Sequence, residues 1–263
     1  MTRTRSSACS RSSAREAGSI TALGASATAI LLAMVLSALL AGEEPSRLPS
    51  PSPVPDPWNL AQQAWQRLGQ LQDSTCIFLK TERLGNRVTA TQVIELKVRR
   101  RPLSVHMRWL EAPHQGREVV YQEGRFDDKM VLKLPDILGF DGIFTFRPTA
   151  PEVMQENRHP ITEAGIGHIT ERLYVQCRQA HDRGDLRARY LGAERYLDRP
   201  TYKIMRILED GGYRYWNIDS ELLLPIRVVT YDAHHQLQET YSFKDVQLNV
   251  GLTDDDFDPQ VLW

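Results

Sequence analysis

The stretch QVIELKVRR, from Gln92 to Arg100, decides the fold of this chain. Ile94, Leu96 and Val98 alternate with charged residues, and this two-residue period is typical of an antiparallel β-strand with one buried face. Pro102 follows the run and ends it, because proline has no N–H to donate to a neighbouring strand. The stretch therefore predicts a sheet with one apolar and one polar face.

Further segments with strand character lie at short spacings along the chain, separated by turns rich in Gly, Asn and Asp. This pattern is typical of an antiparallel meander. The segments are TCIFLKTER (75–83), LSVHMRWLEAP (103–113), GREVVYQEG (116–124), DDKMVLKL (127–134), LRARYLGAERYL (186–197), PTYKIMRILE (200–209), YRYWNID (213–219), LPIRVVTYD (224–232) and QLQETYSFKDVQLNV (236–250).

Two amphipathic helices interrupt the strands. The first follows Asp56 and Pro57, which suit a helix cap and first turn, and the second lies within residues 160–185. The predicted fold is α+β and mainly β: a strongly curved antiparallel sheet, a half-open barrel of about ten strands, with helices covering one face. Several strands, such as YKIMRIL (202–208), are apolar on both faces, which favours a sheet wrapped around helices or an apolar cavity.

Residues 1–42 have the features of a signal peptide or an N-terminal membrane anchor: four arginines, then an apolar run from Ala29 to Ala41. Cleavage near Ala41 would release the protein into the periplasm. If residues 20–41 are retained, they are long enough to hold it in the inner membrane. Residues 43–57 contain six prolines and predict an extended linker, so the folded domain is expected to span 58–263.

Charge argues against a nucleic-acid partner. The chain has 32 basic and 33 acidic side chains, and removing the four arginines and one glutamate of residues 1–42 leaves 28 and 32. A domain with this acidic excess has no field that attracts DNA or RNA. Cys76 and Cys177 remain in the exported part, where they either form a disulfide or are simply buried.

Catalytic and metal signatures are missing from the sequence. The seven histidines do not show the spacing of a zinc site, and no Gly-x-Ser-x-Gly motif is present. The pair His234 and His235 is typical of a hairpin turn. The sequence therefore predicts a protein that is not an enzyme and that needs no cofactor or metal.

Three polar motifs each allow two interpretations. Arg99 to Arg101 form either a solvated strand end or a contact for anionic lipid head groups. Gly165 and Gly167 begin a helix and either allow close packing or hold an anion. In LNVGLTDDDFDP (248–259) the acids lack the glycine and distal glutamate of a calcium loop. We expect this segment to be a helical turn with mostly solvated acids and a buried Phe257.

Six segments, in order, carry a resemblance to a family: TCIFLKTER, LKVRRRPLSVHMRWL, GREVVYQEG, NRHPITEAGIGHITERL, LPIRVVTYD and LNVGLTDDDFD. From about Trp58 to Pro259 the chain resembles domain of unknown function 1571, which is similar to the LolA and LolB carriers of outer-membrane lipoproteins. The resemblance implies a half-barrel whose apolar hollow holds acyl chains. It identifies no catalytic residue.

These observations predict an exported, non-catalytic envelope protein that binds an acyl chain, a lipid or a lipidated protein in an apolar hollow. The alternative is a membrane-tethered structural or protein-interaction module with a filled core. Under the first hypothesis, apolar and aromatic residues of the strands line the hollow. They are Ile94, Leu96, Val98, Trp109, Phe144, Phe146, Tyr202 and Trp216.

Overall fold

The computed structural model of the protein describes residues 54–137 and 140–262. Within these residues the chain forms three α-helices: α1 (Pro57–Leu68), α2 (Pro151–Met154) and α3 (Ile166–Asp182). The strands are β1 (Asp73–Leu84), β2 (Arg87–Val88), β3 (Gln92–Arg100), β4 (Leu103–Trp109), β5 (Glu118–Gln122), β6 (Met130–Ile137), β7 (Phe140–Phe146), β8 (Ala188–Tyr196), β9 (Arg199–Ile207), β10 (Tyr213–Asp219), β11 (Pro225–Tyr231) and β12 (Leu237–Leu248).

All twelve strands belong to one antiparallel sheet, in the order β7-β6-β5-β4-β3-β1-β12-β11-β10-β9-β8, with β2 paired to β1. Two meanders, β3 to β7 and β8 to β12, therefore meet at β1. The sheet is not closed, because β7 and β8 lie at opposite ends of this order. This confirms the predicted mainly β half-barrel, although it has two more strands and one more short helix than expected.

Helix α1 is fixed at both ends by side chains. Asp56 accepts a hydrogen bond from the N–H of Asn59 at 3.0 Å, and Pro57 occupies the first turn, where its missing N–H costs nothing. At the other end, Arg100 donates to the carbonyl oxygens of Leu68 and Leu71 at 2.7 and 3.2 Å. Arg100 therefore caps the helix from β3.

Helix α3 packs against α1 through stacked aromatic rings. Trp65 lies 4.6 Å from Tyr174, and Trp58 lies 4.6 Å from His181, measured between ring centroids. The helix begins after Gly165, whose φ of 93° suits glycine and whose Cβ, if present, would lie 2.9 Å from Val98. The close-packing interpretation of this glycine motif thus has direct support in the structure.

The apolar residues on the other face of the sheet also have partners. Val120 and Val131 pack with Phe257 and Leu262, which lie in two 3-10 turns, Asp254–Phe257 and Pro259–Leu262. On β10 and β11, Tyr213 stacks on Tyr231 at 4.9 Å. Apolar groups on both faces of these strands therefore reflect packing on both faces, and do not by themselves require a cavity.

The acidic turn forms ion pairs that the sequence analysis did not predict. Asp254 binds Arg99 at 2.5 Å and Asp256 binds Lys97 at 2.9 Å, and Thr253 forms a capping box with Asp256. Both cations lie on β3. The expectation that these acids are mostly solvated holds for Asp255 and for Asp254, which stays exposed although it pairs with Arg99. It is wrong for Asp256, which is partly buried because the turn lies against β3.

Cys76 and Cys177 are both buried and form no disulfide. Of the two alternatives that the sequence left open, the structure therefore has simple burial. Burial raises the pKa of the Cys76 thiol to about 12, and burial raises that of Cys177 to about 11. Among residues 54–137 and 140–262, no helix has the length and apolar character needed to span a bilayer. The predicted signal or anchor segment, 1–42, lies outside the described residues, as does most of the predicted linker.

Candidate functional site

A hollow lies between the helix-covered face of the sheet and the segment that leads from α2 to α3. It has two neighbouring parts: an inner chamber of about 80 Å³ beside residues 159–165, and an outer chamber of about 350 Å³ beside β6 and β7. Both chambers share five wall residues, and most of these are apolar. They are Trp109, Val119, Met130, Val153 and Asn157.

One row of apolar side chains shows why the hollow lies at the β7 end of the sheet. Leu96, Met107, Val119, Leu132 and Phe144 are direct cross-strand neighbours on β3 to β7. Exposure is 1% at Leu96, at one end of this row, and 41% at Phe144, at the other end. The start of α3 packs against Val98 of β3, whereas Val153 of the short α2 lines the outer chamber beside β6 and β7.

The structure divides the residues that the sequence proposed as the lining of a hollow. Trp109, Phe144 and Phe146 line the chambers. The other five pack in the core, because the helices and neighbouring strands cover their part of the sheet. Of these, Ile94, Leu96, Val98 and Trp216 are buried, and Tyr202 is partly buried against Tyr190.

A row of polar side chains crosses the same face of the sheet at one end of the inner chamber. Arg206, Arg214, Thr230, Glu239 and Glu82 oppose one another in register on β9, β10, β11, β12 and β1. All five are buried. Buried polar groups are costly unless they are hydrogen-bonded, so a row of them requires an explanation.

Glu239 is the centre of this polar row. It accepts a hydrogen bond from Thr230 at 2.9 Å, and its other oxygen lies 2.8 Å from Nε2 of His159. Burial opposes ionisation of Glu239, but the His159 hydrogen bond and the nearby Arg214 and Arg172 outweigh it. Together they lower the pKa of Glu239 from 4.5 to about 2.

His159 joins the polar row to the segment that leads to α3. Its Nδ1 lies 2.9 Å from Glu163, while its Nε2 faces Glu239. Carboxylates only accept hydrogen bonds, so both bonds form together only when both ring nitrogens carry protons. A charged His159 would thus hold two acids and fix the chain between α2 and α3.

Glu82 is satisfied by a second set of donors. It accepts hydrogen bonds from the Tyr241 hydroxyl and from the N–H of Arg158, and its carboxylate lies 3.1 Å from Lys80 Nζ. Burial, with the charges of Glu239 and Glu82, raises the pKa of Tyr241 above its usual range, so it remains a donor. Lys80 also donates to Asn157 at 2.5 Å, and burial lowers its pKa.

These polar residues were not among those predicted from the sequence, although the sequence carries a signal for them. Lys80 and Glu82 continue the inward phase set by Cys76 and Phe78 on β1, and Glu239 shares the inward phase of Tyr241. Charged residues in the buried phase of a strand indicate a polar cluster or a site. Their partners come from distant strands, and no local spacing reveals such pairs.

The apolar walls and the buried charged groups of this arrangement are suited to binding. The two described cysteines are buried with raised pKa values. Across the described part of the chain, no three His, Cys, Asp or Glu side chains come together as metal ligands. What remains is an apolar hollow with a charged end.

Several solved structures are similar to the chain at low identity. Lipoprotein LppX of Mycobacterium tuberculosis is 12% identical, with a TM-score of 0.48, over 75% of this chain and 97% of that one. LprF of Mycobacterium bovis is 11% identical, with a TM-score of 0.45, over 77% and 97%. A chain of the Pseudomonas aeruginosa MucA/MucB complex is 13% identical, with a TM-score of 0.44, over 78% of this chain and 61% of that one.

No curated protein matches the chain. A family does: residues 71–261 match the family described as "Protein of unknown function (DUF1571)". The match extends from the end of α1 to the last turn, so it includes every strand and both chambers. The chain belongs to this family.

Proposed function

We propose that the protein is an exported, non-catalytic binding protein of the cell envelope that holds an acyl chain in the two chambers. The chain would belong to a lipid or to a lipidated protein. The N-terminal apolar run supports export to the periplasm, either soluble or anchored in the inner membrane. The domain from residue 58 onward would then be the binding part.

One observation carries this proposal: two neighbouring, mainly apolar chambers share wall residues, and the exposed Phe144 lines the outer one. The outer chamber, at about 350 Å³, falls within the range typical of small-molecule sites. The inner chamber is narrow, and Met107 and Met130 line it. Methionine side chains are flexible, so they can move aside for an acyl chain and repack when it leaves.

The proposal is tested with a neutral fluorescent reporter, N-phenyl-1-naphthylamine, which brightens in apolar surroundings. The full chain should bind the reporter, and palmitate should displace it. Val153 lines both chambers and is only partly buried. The substitution Val153→Trp should therefore fill the passage and weaken reporter binding at least fivefold, an estimate based on the loss of roughly 1 kcal/mol of apolar contact.

Val250→Trp is the matched control, because Val250 is exposed and lies outside both chambers. It adds the same indole and should leave binding unchanged. If the full chain binds neither reporter nor palmitate, the acyl-chain proposal is wrong. The protein would then fit the alternative, a structural or interaction module with a filled core.

A further inference from the structure

The charged residues at and around one end of the inner chamber include more cations than acids. Four of these residues are lysine or arginine and three are glutamate; the cations Lys80 and Arg172 lie on the chamber wall, and the other two cations lie outside that wall. We use "polar end" for this set: Lys80, Glu82, Arg158, His159, Glu163, Arg172, Arg214 and Glu239.

The three carboxylates of the polar end already have donors. Glu82 accepts from Tyr241 and from the Arg158 N–H, and Glu239 accepts from Thr230. Glu163 and Glu239 also face the two nitrogens of His159. The acids are thus already occupied.

The cations, in contrast, have unused donors. Arg172 carries five N–H groups and makes no side-chain hydrogen bond within residues 54–137 and 140–262. Its ion pair there is a long one, 3.9 Å to Glu239. Lys80 has three N–H groups, of which Asn157 and Glu82 take two. Both cations line the inner chamber.

Helix α3 adds to the positive potential at this end. Gly165, the residue before the helix, is part of the chamber wall and offers no side chain to cap the first N–H groups. The N-terminus of a helix carries partial positive charge and favours anions. The Arg172 side chain is 22% exposed, so a charged group beside it would keep some contact with water.

We infer that the ligand is an anionic amphiphile. Its carboxylate or phosphate head binds Arg172 and Lys80 at the polar end, and its acyl chain extends through the inner chamber into the outer one. This inference rests on the proposed function and adds the charge and the orientation of the ligand. A neutral amphiphile of equal length would leave the Arg172 donors unpaired and should bind more weakly.

The test compares charged and neutral competitors that carry the same chain. The reporter N-phenyl-1-naphthylamine is first bound to the full chain. Each of three competitors is then titrated in at concentrations at which it stays dissolved as single molecules: palmitate, 1-palmitoyl-lysophosphatidylglycerol and hexadecanol. We expect the better anion to displace the reporter at a concentration at least about tenfold lower than hexadecanol needs, because one charge-assisted hydrogen bond contributes about that much affinity. If palmitate is the stronger competitor, the head group of the ligand is a fatty-acid carboxylate; if the lysophospholipid is stronger, it is a phospholipid phosphate. High salt should weaken the binding of the anion and leave the binding of hexadecanol unchanged.

The substitution Arg172→Gln should reduce the preference for the anion over hexadecanol to about twofold or less, since it removes one charged donor. The binding of hexadecanol should not change. Arg172→Lys keeps the charge and should retain most of the preference. Arg178→Gln is the matched control, because Arg178 lies on the same helix and is exposed. It loses the same charge away from the chamber and should behave like the unaltered protein.

Two results would overturn the inference while leaving the acyl-chain proposal intact: equal potency of anion and alcohol on the unaltered chain, or a preference that survives Arg172→Gln. Failure of all three competitors, together with absence of reporter binding, would instead remove the acyl-chain proposal and this inference together.

Discussion

At the scale of single residues, the buried polar row depends on the charge of Glu239. This side chain is buried on a strand face that otherwise carries Tyr241 and Phe243. It remains ionised because donors and cations surround it from several elements. The groups that face it are Glu82, Arg158, His159, Arg172, Arg214 and Thr230.

Stability should therefore fall in acid. The folded pKa of Glu239 is about 2 against an ordinary 4.5, so its contribution is complete above pH 4.5 and is lost as the pH falls toward 2. This difference corresponds to a contribution on the order of 3 kcal/mol. Denaturant unfolding at pH 5 and pH 3 should show a smaller pH difference for Glu239→Gln than for the unaltered protein. Glu171→Gln, at an exposed site, should keep the full difference.

The acidic turn allows a second comparison of single residues. Phe257 is fully buried, with the Arg99 guanidinium 5.2 Å from its ring centre, whereas Asp255 is exposed. Phe257→Ala should cost about 3 to 5 kcal/mol of unfolding free energy, and Asp255→Asn less than about 0.5 kcal/mol. Calcium should leave the melting temperature unchanged. A calcium-dependent rise in melting temperature that Asp255→Asn abolishes would show that the turn is a metal site.

At the scale of elements, two adjacent arginines have different surroundings. Arg100 donates to two carbonyl oxygens at the C-terminal end of α1, and Arg101 is exposed. Arg100→Gln should lower the unfolding free energy by about 1 to 2 kcal/mol, because two carbonyl groups lose a charged donor. Arg101→Gln should change it by less than about 0.5 kcal/mol. Hydrogen exchange of α1 should accelerate only in the Arg100 variant. Equal effects would show that Arg100 is not a helix cap.

Elements were predictable where the pattern is local. The alternation in β3 and the cap at Asp56 both identified their elements correctly. The pairing of β12 with β1 could not be predicted. Beside this pairing, the Asn249 side chain accepts a hydrogen bond from the N–H of Gln72 at 2.7 Å, and 177 residues separate these two positions. This pairing depends on contacts across the whole chain.

The site could be predicted only in part, because its residues also come together through contacts between distant segments. Trp109, Phe144 and Phe146 line the hollow, but Ile94 and Trp216 have the same apolar pattern and lie in the core. Periodicity reports which face of a strand is buried. It does not report whether a helix or an open space covers that face, since this depends on where α1 and α3 end.

At the scale of the whole molecule, the buried thiols report global unfolding. Cys76 and Cys177 lie in the main core, and burial raises the pKa of each thiol. In a Cys9→Ser background, iodoacetamide at pH 8 should label neither cysteine in the native state and both at one common denaturant concentration. Mass spectrometry of the labelled peptides provides the measurement. Early labelling of either thiol alone would show that the sheet opens in parts.

The central claim is that an acyl chain lies in the two chambers, and photo-crosslinking tests it most directly. Palmitic acid with a terminal diazirine is bound to the full chain, irradiated and mapped by peptide mass spectrometry. Labels should concentrate on β4, β6, β7 and α2, disappear with excess palmitate, and decrease in Val153→Trp. Labels spread over the outer face of the sheet, or unaffected by excess palmitate, would contradict the claim.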